Sequence, residues 1–158
     1  MGYGNAWGVC LTCNENVQKG SIPLYSTKTI HNENRRCFMK YMGSKARIIS
    51  EIAPILLKDR KPNQWYVEPF AGGMNSIAYI SGLRIANDNN IYLIEMWKHL
   101  LQGWKPEKIT REEYIHVRDH KAMYPHYYVG WVGFNCSYSG KWFAGYAGDT
   151  KTKIRSYT

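Results

Sequence analysis

The sequence predicts an α/β protein whose strands lie side by side in an open parallel sheet. Two short apolar runs, at residues 65–70 and 84–88, alternate with two segments of helical periodicity. A pair of glycines separates the first of these strands from the helix that follows it. Strand, helix, strand, helix is the order of a βαβ unit, whose two strands run parallel.

The chain has 158 residues, 44% of them hydrophobic, which is enough for one domain with a buried core. No apolar run approaches the length that spans a bilayer, and the N-terminus lacks the basic and apolar pattern of a secretory signal. We therefore expect a cytoplasmic protein without a membrane partner. The formal net charge is +9, and such a basic excess favours nucleic acid as the partner.

Residues 1–38 differ in character from the rest, because they are rich in Gly, Asn, Ser and Thr and show little periodicity. We expect an extension of uncertain order here. Cys10 and Cys13 form a C-x-x-C pair that could bind zinc together with His31 and Cys37. A second C-x-x-C pair is missing, so free, reduced thiols, Cys136 among them, are the default and no metal site is assigned.

The central elements follow in order along the chain. A helix is expected over 44–58, with apolar residues on one stripe and Pro54 bending it. Residues 65–70 read as a strand that is apolar on both faces, as in a buried parallel sheet. A short helix ended by Gly82, a strand over 84–88 and a strong helix over 89–105 complete the βαβ pattern.

After Pro106 the composition changes. Thr110 followed three residues later by Glu113 is a capping box, which predicts the start of a helix. Residues 124–148 are crowded with aromatics and glycines, and we expect short strands and turns, or a loop-rich insertion, there. Most of these aromatics should form a small β core, while others could stack on bases.

The turn at Gly72 and Gly73 follows the first strand of the βαβ unit, where open parallel sheets bind ligands. Asp88 ends the second strand, at a spacing suited to a carboxylate that contacts ribose hydroxyls. The pattern is not G-x-G-x-x-G, so a dinucleotide is the weaker option. The alternative is an ordinary strand-to-helix turn in which Asp88 caps the next helix.

Four segments, "KYMGSK", "VEPFAGG", "ANDNN" and "VGFNCSYSGKWFAGYA", together resemble the Dam-like, D12-class adenine-specific DNA methyltransferases over residues 39–147. The resemblance implies a Rossmann-like, S-adenosylmethionine-dependent methyltransferase sheet with part of an inserted aromatic-rich DNA-recognition domain. The cofactor-binding part would cover residues 39–105, and the partial recognition domain residues 106–158.

The resemblance also implies that S-adenosylmethionine is the cofactor and double-stranded DNA the partner. The cofactor-binding residues that match the family motifs are Tyr41, Gly43, Lys45, Glu68, Pro69, Phe70, Ala71, Gly72, Gly73, Asp88 and Asn89. In the aromatic segment we expect Asn135, Tyr138 and Lys141 to contact DNA.

Members of this family place the target adenine with an Asp-Pro-Pro-Tyr motif, and the six prolines of this chain include no adjacent pair. We therefore assign no catalytic residue and expect a C-terminally truncated enzyme, with the missing motif supplied by a second chain or fragment. The leading function is methyl transfer from S-adenosylmethionine to adenine N6 in DNA. The alternatives are a catalytically inactive DNA-binding or regulatory module, or another Rossmann-like nucleotide binder.

Overall fold

The computed structural model describes residues 21–24 and 39–148. Cys10, Cys13, His31 and Cys37, which were considered as zinc ligands but not assigned as a site, lie outside the described residues, as does the segment after residue 148. The regular elements are β1 (Ser21–Leu24), α1 (Ile49–Leu56), β2 (Tyr66–Glu68), α2 (Asn75–Tyr79), β3 (Arg84–Asn87), α3 (Ile91–Leu101), α4 (Arg111–Asp119) and α5 (His126–Gly130). Short 3₁₀ helices occupy Lys45–Arg47, Lys121–Met123 and Tyr138–Gly140, and a π-helix occupies Trp131–Asn135.

The described strands form one small mixed sheet in the order β1-β3-β2. β2 and β3 run parallel, with Val67 opposite Ile85, which is the pairing that the βαβ pattern predicts. β1 lies antiparallel on the other edge of β3, with Ile22 opposite Ala86. None of the described helices is long and apolar enough to cross a bilayer.

β2 differs from the expected buried strand. Glu68 is buried, whereas Val67 is 56% exposed. Trp65 and Phe70, which flank the strand, are 37% and 77% exposed. The physical reason is its place in the sheet: β2 lies at the edge, and only β3 pairs with it among the described residues. The apolar sequence of residues 65–70 therefore did not correctly predict that both faces of this strand are buried.

The first predicted helix is divided into a 3₁₀ turn and α1. The hydroxyl of Ser44 caps the 3₁₀ turn by accepting a hydrogen bond from the amide of Ala46 at 3.1 Å. α1 contains Pro54 near its end and stops at Leu56. On its apolar stripe Ile49 is fully buried, whereas Ile55 is 74% exposed.

α3 is the central helix of the described structure. The side-chain oxygen of Asn90 accepts from the amide of Leu93 at 3.2 Å and so caps the helix. Two hydrophobic clusters meet on α3: Ala71, Met74, Ile77, Ala86 and Ile94 form the first, and Met39, Leu93, Met96 and Phe134 form the second. The helix thus connects the sheet to the aromatic segment.

α4 begins where the capping box predicts. Thr110 Oγ1 accepts a hydrogen bond from the amide of Glu113 at 3.1 Å. The carboxylate of Glu113 accepts from the hydroxyl of Tyr128, which ties α4 to α5. Burial first, and then Glu113, raise the pKa of the Tyr128 hydroxyl far above its ordinary value, so the tyrosine donates this hydrogen bond.

The prediction of short strands in the aromatic segment was wrong. α5 continues directly into the π-helix, and a single bridge between Ser137 and Tyr146 is the extended pairing among residues 124–148. The glycines explain the error. A Cβ atom at Gly130 would lie 2.2 Å from the carbonyl oxygen of Tyr92, so this glycine permits two helices to pack closely and does not mark a turn.

The aromatic segment does contribute to a core, but a helical one. Its buried members are Ile109, Tyr114, Val117, Val129 and Val132. Partly buried aromatics of the segment pack against them, namely Tyr124, Tyr128, Trp131, Trp142, Phe143 and Tyr146. The hydroxyl of Tyr114 pairs with that of Ser137 at 2.8 Å and accepts from the amide of Gly145 at 3.2 Å. These bonds hold the loop after the π-helix against α4.

Arg84 carries a buried charge that no described acid neutralises. Its side chain is 5% exposed, its Nε has no hydrogen-bond partner, and it donates to the carbonyl of Ile80. Burial, and then the positive charge of Arg60, lower the pKa of Arg84. An uncompensated buried charge is a destabilising feature.

We predict that Arg84→Met stabilises the protein, because methionine keeps the apolar stem and removes the unpaired charge. Replacement of buried ionic groups by apolar ones of similar size can stabilise by about 1–4 kcal/mol. Thermal melting and urea unfolding followed by circular dichroism measure the effect, with the exposed Arg47→Met as the matched control. A lower midpoint for Arg84→Met than for the control would contradict the prediction.

Candidate functional site

The turn between β2 and α2 is fixed by hydrogen bonds to the loop after β3. The amide of Gly72 donates to Asp88 Oδ2 at 2.9 Å, and the carbonyl of Gly72 accepts from Trp97 Nε1 at 3.1 Å. The amide of Ala71 donates to the carbonyl of Asn87 at 2.8 Å. The turn therefore lies at the carboxyl ends of the two parallel strands, where the sequence places it.

Asp88 joins the turn to α3. Its Oδ1 accepts from the amide of Asn90 at 2.9 Å, while its Oδ2 accepts from Gly72. The side chain that caps α3 is that of Asn90, two residues further along the chain. Asp88 is thus a structural anchor of the turn, and each carboxylate oxygen keeps a lone pair for a further donor.

Tyr41 packs directly on the two glycines of the turn. A Cβ atom at Gly72 would lie 2.8 Å from Tyr41 Cε1, and one at Gly73 would lie 2.7 Å from Tyr41 Cβ. Gly72 also has a φ of +49°, which disfavours other residues. The glycines make room for this ring, a role that the sequence did not indicate. Burial, and then the charge of Asp88, raise the pKa of Tyr41.

Lys45 and Glu68 form an ion pair beside the turn, with Nζ and Oε1 3.3 Å apart. Glu68 is buried, whereas 46% of the Lys45 side chain is exposed. Burial raises the pKa of Glu68, and Lys45 acts in the opposite direction. Glu68 Oε2 has no hydrogen-bond partner of ordinary geometry within the described structure, but the Ser76 hydroxyl and the Ile77 amide lie near the carboxylate and act with Lys45 to lower its pKa.

Asn75 is a site residue that the sequence analysis missed. It is buried at the start of α2, and its Nδ2 donates to the carbonyl of Met39 at 3.2 Å and to Ser44 Oγ at 2.7 Å. These bonds hold the segment that carries Tyr41 and Lys45 against the glycine turn. A polar residue in the first turn of a predicted buried helix was the signal that could have identified it.

The resulting cleft opens to solvent and encloses only about 40 Å³. Typical ligand sites enclose roughly 300–1,000 Å³, so a nucleoside cofactor would extend well beyond this cleft or widen it. Its lining residues are Tyr41, Gly43, Ser44, Lys45, Phe70, Ala71, Gly72, Gly73, Asn75 and Ser76.

Seven of the predicted cofactor residues therefore line one cleft, and two more adjoin it: Glu68 pairs with Lys45, and Asp88 bonds to the turn. Pro69 and Asn89 are exposed and do not line the cleft. No group of three metal-ligating side chains occurs in the described part of the chain.

The three predicted DNA contacts are placed differently. Tyr138 is 70% exposed, and Lys141 is exposed on the same turn. Asn135 is half-buried, and its Nδ2 lies 3.3 Å from the sulfur of Met96 and 3.9 Å from that of Met39. Tyr138 and Lys141 thus remain available to a partner, whereas the Asn135 amide packs inward.

A family model described as D12 class N6 adenine-specific DNA methyltransferase matches residues 41–137, which is more than half of the chain. The matched region runs from Tyr41 through the glycine turn and Asp88 to Ser137, two residues after the π-helix. No curated protein and no solved structure matches the chain significantly.

Proposed function

Since the chain belongs to the D12 class of N6 adenine-specific DNA methyltransferases, we propose that its cleft binds S-adenosylmethionine. We further propose that the chain supplies the cofactor-binding and part of the DNA-recognition portion of an enzyme that methylates adenine N6 in double-stranded DNA. The observation that carries the proposal is the ion pair between Lys45 and the buried Glu68 beside the glycine turn.

The charges of this pair suit the amino-acid end of the cofactor, which carries an ammonium and a carboxylate. The buried carboxylate of Glu68, which pairs with Lys45 beside the cleft, would attract the ammonium, and a charged donor strengthens such an interaction. The half-exposed ammonium of Lys45 is free to turn toward the cofactor carboxylate. Both charged groups of the cofactor would thus find a partner of opposite sign.

The remainder of the cleft suits the nucleoside. Asp88 keeps lone pairs that can accept from ribose hydroxyls while it still anchors the turn. Tyr41 and the 77% exposed Phe70 offer aromatic faces, which attract cations and stack on purines. When bound, S-adenosylmethionine supplies a methyl group activated by a positively charged sulfur.

The parallel pair β2 and β3, with the turn at its carboxyl ends, supports a Rossmann-like sheet as the framework of this site. We propose residues 39–105 as the cofactor-binding part and residues 106–158 as the partial recognition domain. Tyr138 and Lys141 are the proposed DNA contacts, because an exposed aromatic ring can stack on a base and a lysine can meet a phosphate.

No residue of this chain is proposed as catalytic. An adenine amine inside a duplex cannot reach the cofactor, so the base must leave the stack and its N6 must be held by acceptors. The sequence contains no adjacent prolines and hence no Asp-Pro-Pro-Tyr motif. We propose that a second chain or fragment supplies it.

Transfer of a labelled methyl group to duplex DNA tests the function. We expect none from this chain alone and measurable N6-methyladenine when a fragment carrying the motif is added. Binding of S-adenosylmethionine without transfer in either arm would favour a catalytically inactive DNA-binding or regulatory module. Absence of S-adenosylmethionine binding would favour another Rossmann-like nucleotide binder.

The raised pKa of Glu68 predicts a pH-dependent affinity for the cofactor. Only the ionised carboxylate attracts the ammonium, so the affinity should fall as the pH decreases through the pKa of Glu68. The stability of the free protein depends on pH in the opposite direction. Because the pKa of Glu68 is raised in the folded state, its ionised form destabilises the fold, and this destabilisation is removed as the pH falls.

Calorimetric titration with S-adenosylmethionine from about pH 8 to about pH 4, slightly below the ordinary pKa of a glutamate, measures this dependence. Glu68→Gln is the matched control, since the amide has a similar shape and does not titrate. A wild-type affinity that is constant over this range would remove Glu68 from the binding site.

A further inference from the structure

We propose that the 3₁₀ turn Tyr138–Gly140 positions Tyr41, so that a DNA duplex on the Tyr138 and Lys141 surface and the cofactor in the cleft change each other's affinity. This inference rests on the proposed function. It deepens that function by assigning a residue, Gly140, which touches neither ligand but connects the two surfaces. Gly140 is thus a positioning residue.

Gly140 packs backbone against backbone on the residues that lead into the cleft. A Cβ atom on Gly140 would lie 1.9 Å from the carbonyl oxygen of Lys40 and 2.9 Å from the amide nitrogen of Tyr41. The atoms opposed to it are backbone, which cannot rotate away as a flexible side chain does. Any larger residue at this position must therefore displace Lys40 and Tyr41.

The neighbouring π-helix holds the same segment at two more points. The ring of Phe134, 4% exposed, lies 5.5 Å from that of Tyr41, centroid to centroid. The amide of Asn135 contacts the sulfurs of Met39 and Met96. The segment 39–41 is thus supported by the aromatic segment at each of its three residues.

On its opposite side this segment meets the glycine turn. The Cβ and ring of Tyr41 occupy the space above Gly73 and Gly72, and the carbonyl of Met39 accepts from Asn75 at the start of α2. A shift of the Lys40 backbone therefore displaces the side chain of Tyr41, which lies against Gly72 and Gly73 in the cleft. Close-packed contacts of this kind transmit displacement because they have little free volume.

The outer side of the turn carries the proposed DNA contacts. Tyr138 is 70% exposed and Lys141 is exposed, and they flank the buried Gly140. A duplex that orders these two residues acts on Gly140, and through it on Lys40 and Tyr41. Linkage requires the effect to be reciprocal, so the cofactor must change the DNA affinity by the same factor.

The test is calorimetric titration of S-adenosylmethionine into wild-type protein, Gly140→Ala and Gly103→Ala. Gly103 is the control, because it shares a positive φ, +94° against +66° for Gly140, but it lies outside this turn and a Cβ there would meet no atom within 4 Å. We expect Gly140→Ala to weaken binding about tenfold or more, and Gly103→Ala to change it less than about twofold.

The same titrations are repeated with a saturating short DNA duplex present. We expect the wild-type affinity to change about fivefold or more and this change to disappear in Gly140→Ala. Thermal melting shows whether each variant folds. If Gly140→Ala does not fold, Phe134→Leu replaces it, since leucine remains apolar but loses the ring that contacts Tyr41.

The outcomes separate the two proposals. If wild-type protein does not bind S-adenosylmethionine, the proposed function fails and this inference fails with it. If wild-type protein binds and the folded Gly140→Ala or Phe134→Leu binds equally well, the positioning role is overturned while the proposed function stands. Wild-type binding that is unaffected by DNA overturns the coupling.

Discussion

Gly73→Ala is expected to weaken S-adenosylmethionine binding about a hundredfold. The added methyl group would lie 2.7 Å from Tyr41 Cβ and 2.9 Å from Asn75 Nδ2, so it must displace two residues of the cleft at once. Asn75 cannot shift without releasing its hydrogen bonds to Met39 and Ser44. The cleft should therefore change shape even though the new group is small.

Calorimetric titration measures this loss, with Gly103→Ala as the control. Gly103 lies after α3 with a φ of +94°, and a Cβ there would meet no atom within 4 Å. The control therefore carries backbone strain without a steric effect on the cleft. Equal affinities of Gly73→Ala and the control would show that the turn does not shape the binding site.

Asp88→Ala is the second substitution for which we expect a large effect. It should reduce both the stability of the protein and its affinity for the cofactor. The change leaves the amides of Gly72 and Asn90 without their acceptor. Each buried, unsatisfied donor costs about 1–3 kcal/mol, so we expect a loss of about 2–4 kcal/mol in unfolding free energy. The turn and the start of α3 should separate, and cofactor affinity should fall with them.

Urea unfolding gives the stability change, and a titration in the folded range gives the affinity. Asp88→Asn is the matched variant, since its single carbonyl oxygen can replace one of the two acceptors. We expect it to fall between wild-type protein and Asp88→Ala in both measurements. Wild-type stability of Asp88→Ala would contradict the assignment of Asp88 as the anchor of the turn.

The sequence predicted the parallel strand pair and the start of α4 because its signals for both are local. The order of strand, turn and helix indicated the parallel pair β2 and β3, and the structure confirms it. The capping box likewise located the start of α4 at Thr110. Both features depend on residues close together in the chain, where periodicity and capping chemistry are informative.

The features that the sequence did not reveal depend on distant contacts. Gly72 and Gly73 accommodate Tyr41, more than thirty positions earlier, and Gly130 accommodates the backbone of α3. A glycine in isolation predicts a turn, a bulge or a close approach equally well. The aromatic segment was therefore interpreted as strands, although its glycines permit helices to pack.

The Lys45 and Glu68 pair illustrates the same limit. Both residues belonged to family motifs, yet the two residues lie 23 positions apart, and nothing local predicts an ion pair between them. Burial of the carboxylate, and hence its raised pKa, follows from the packing of Glu68 under α2 and not from its neighbours in sequence.

Photo-cross-linking of methyl-labelled S-adenosylmethionine tests most directly whether the cleft beside the glycine turn is the cofactor site. The cross-linked protein is digested with trypsin, and the labelled peptides are identified by mass spectrometry. We predict label in peptides 41–45 and 61–84, which carry Tyr41 and the turn, and its loss when unlabelled S-adenosylmethionine competes. Label confined to other peptides, or label that unlabelled S-adenosylmethionine does not reduce, would contradict this assignment of the cofactor site.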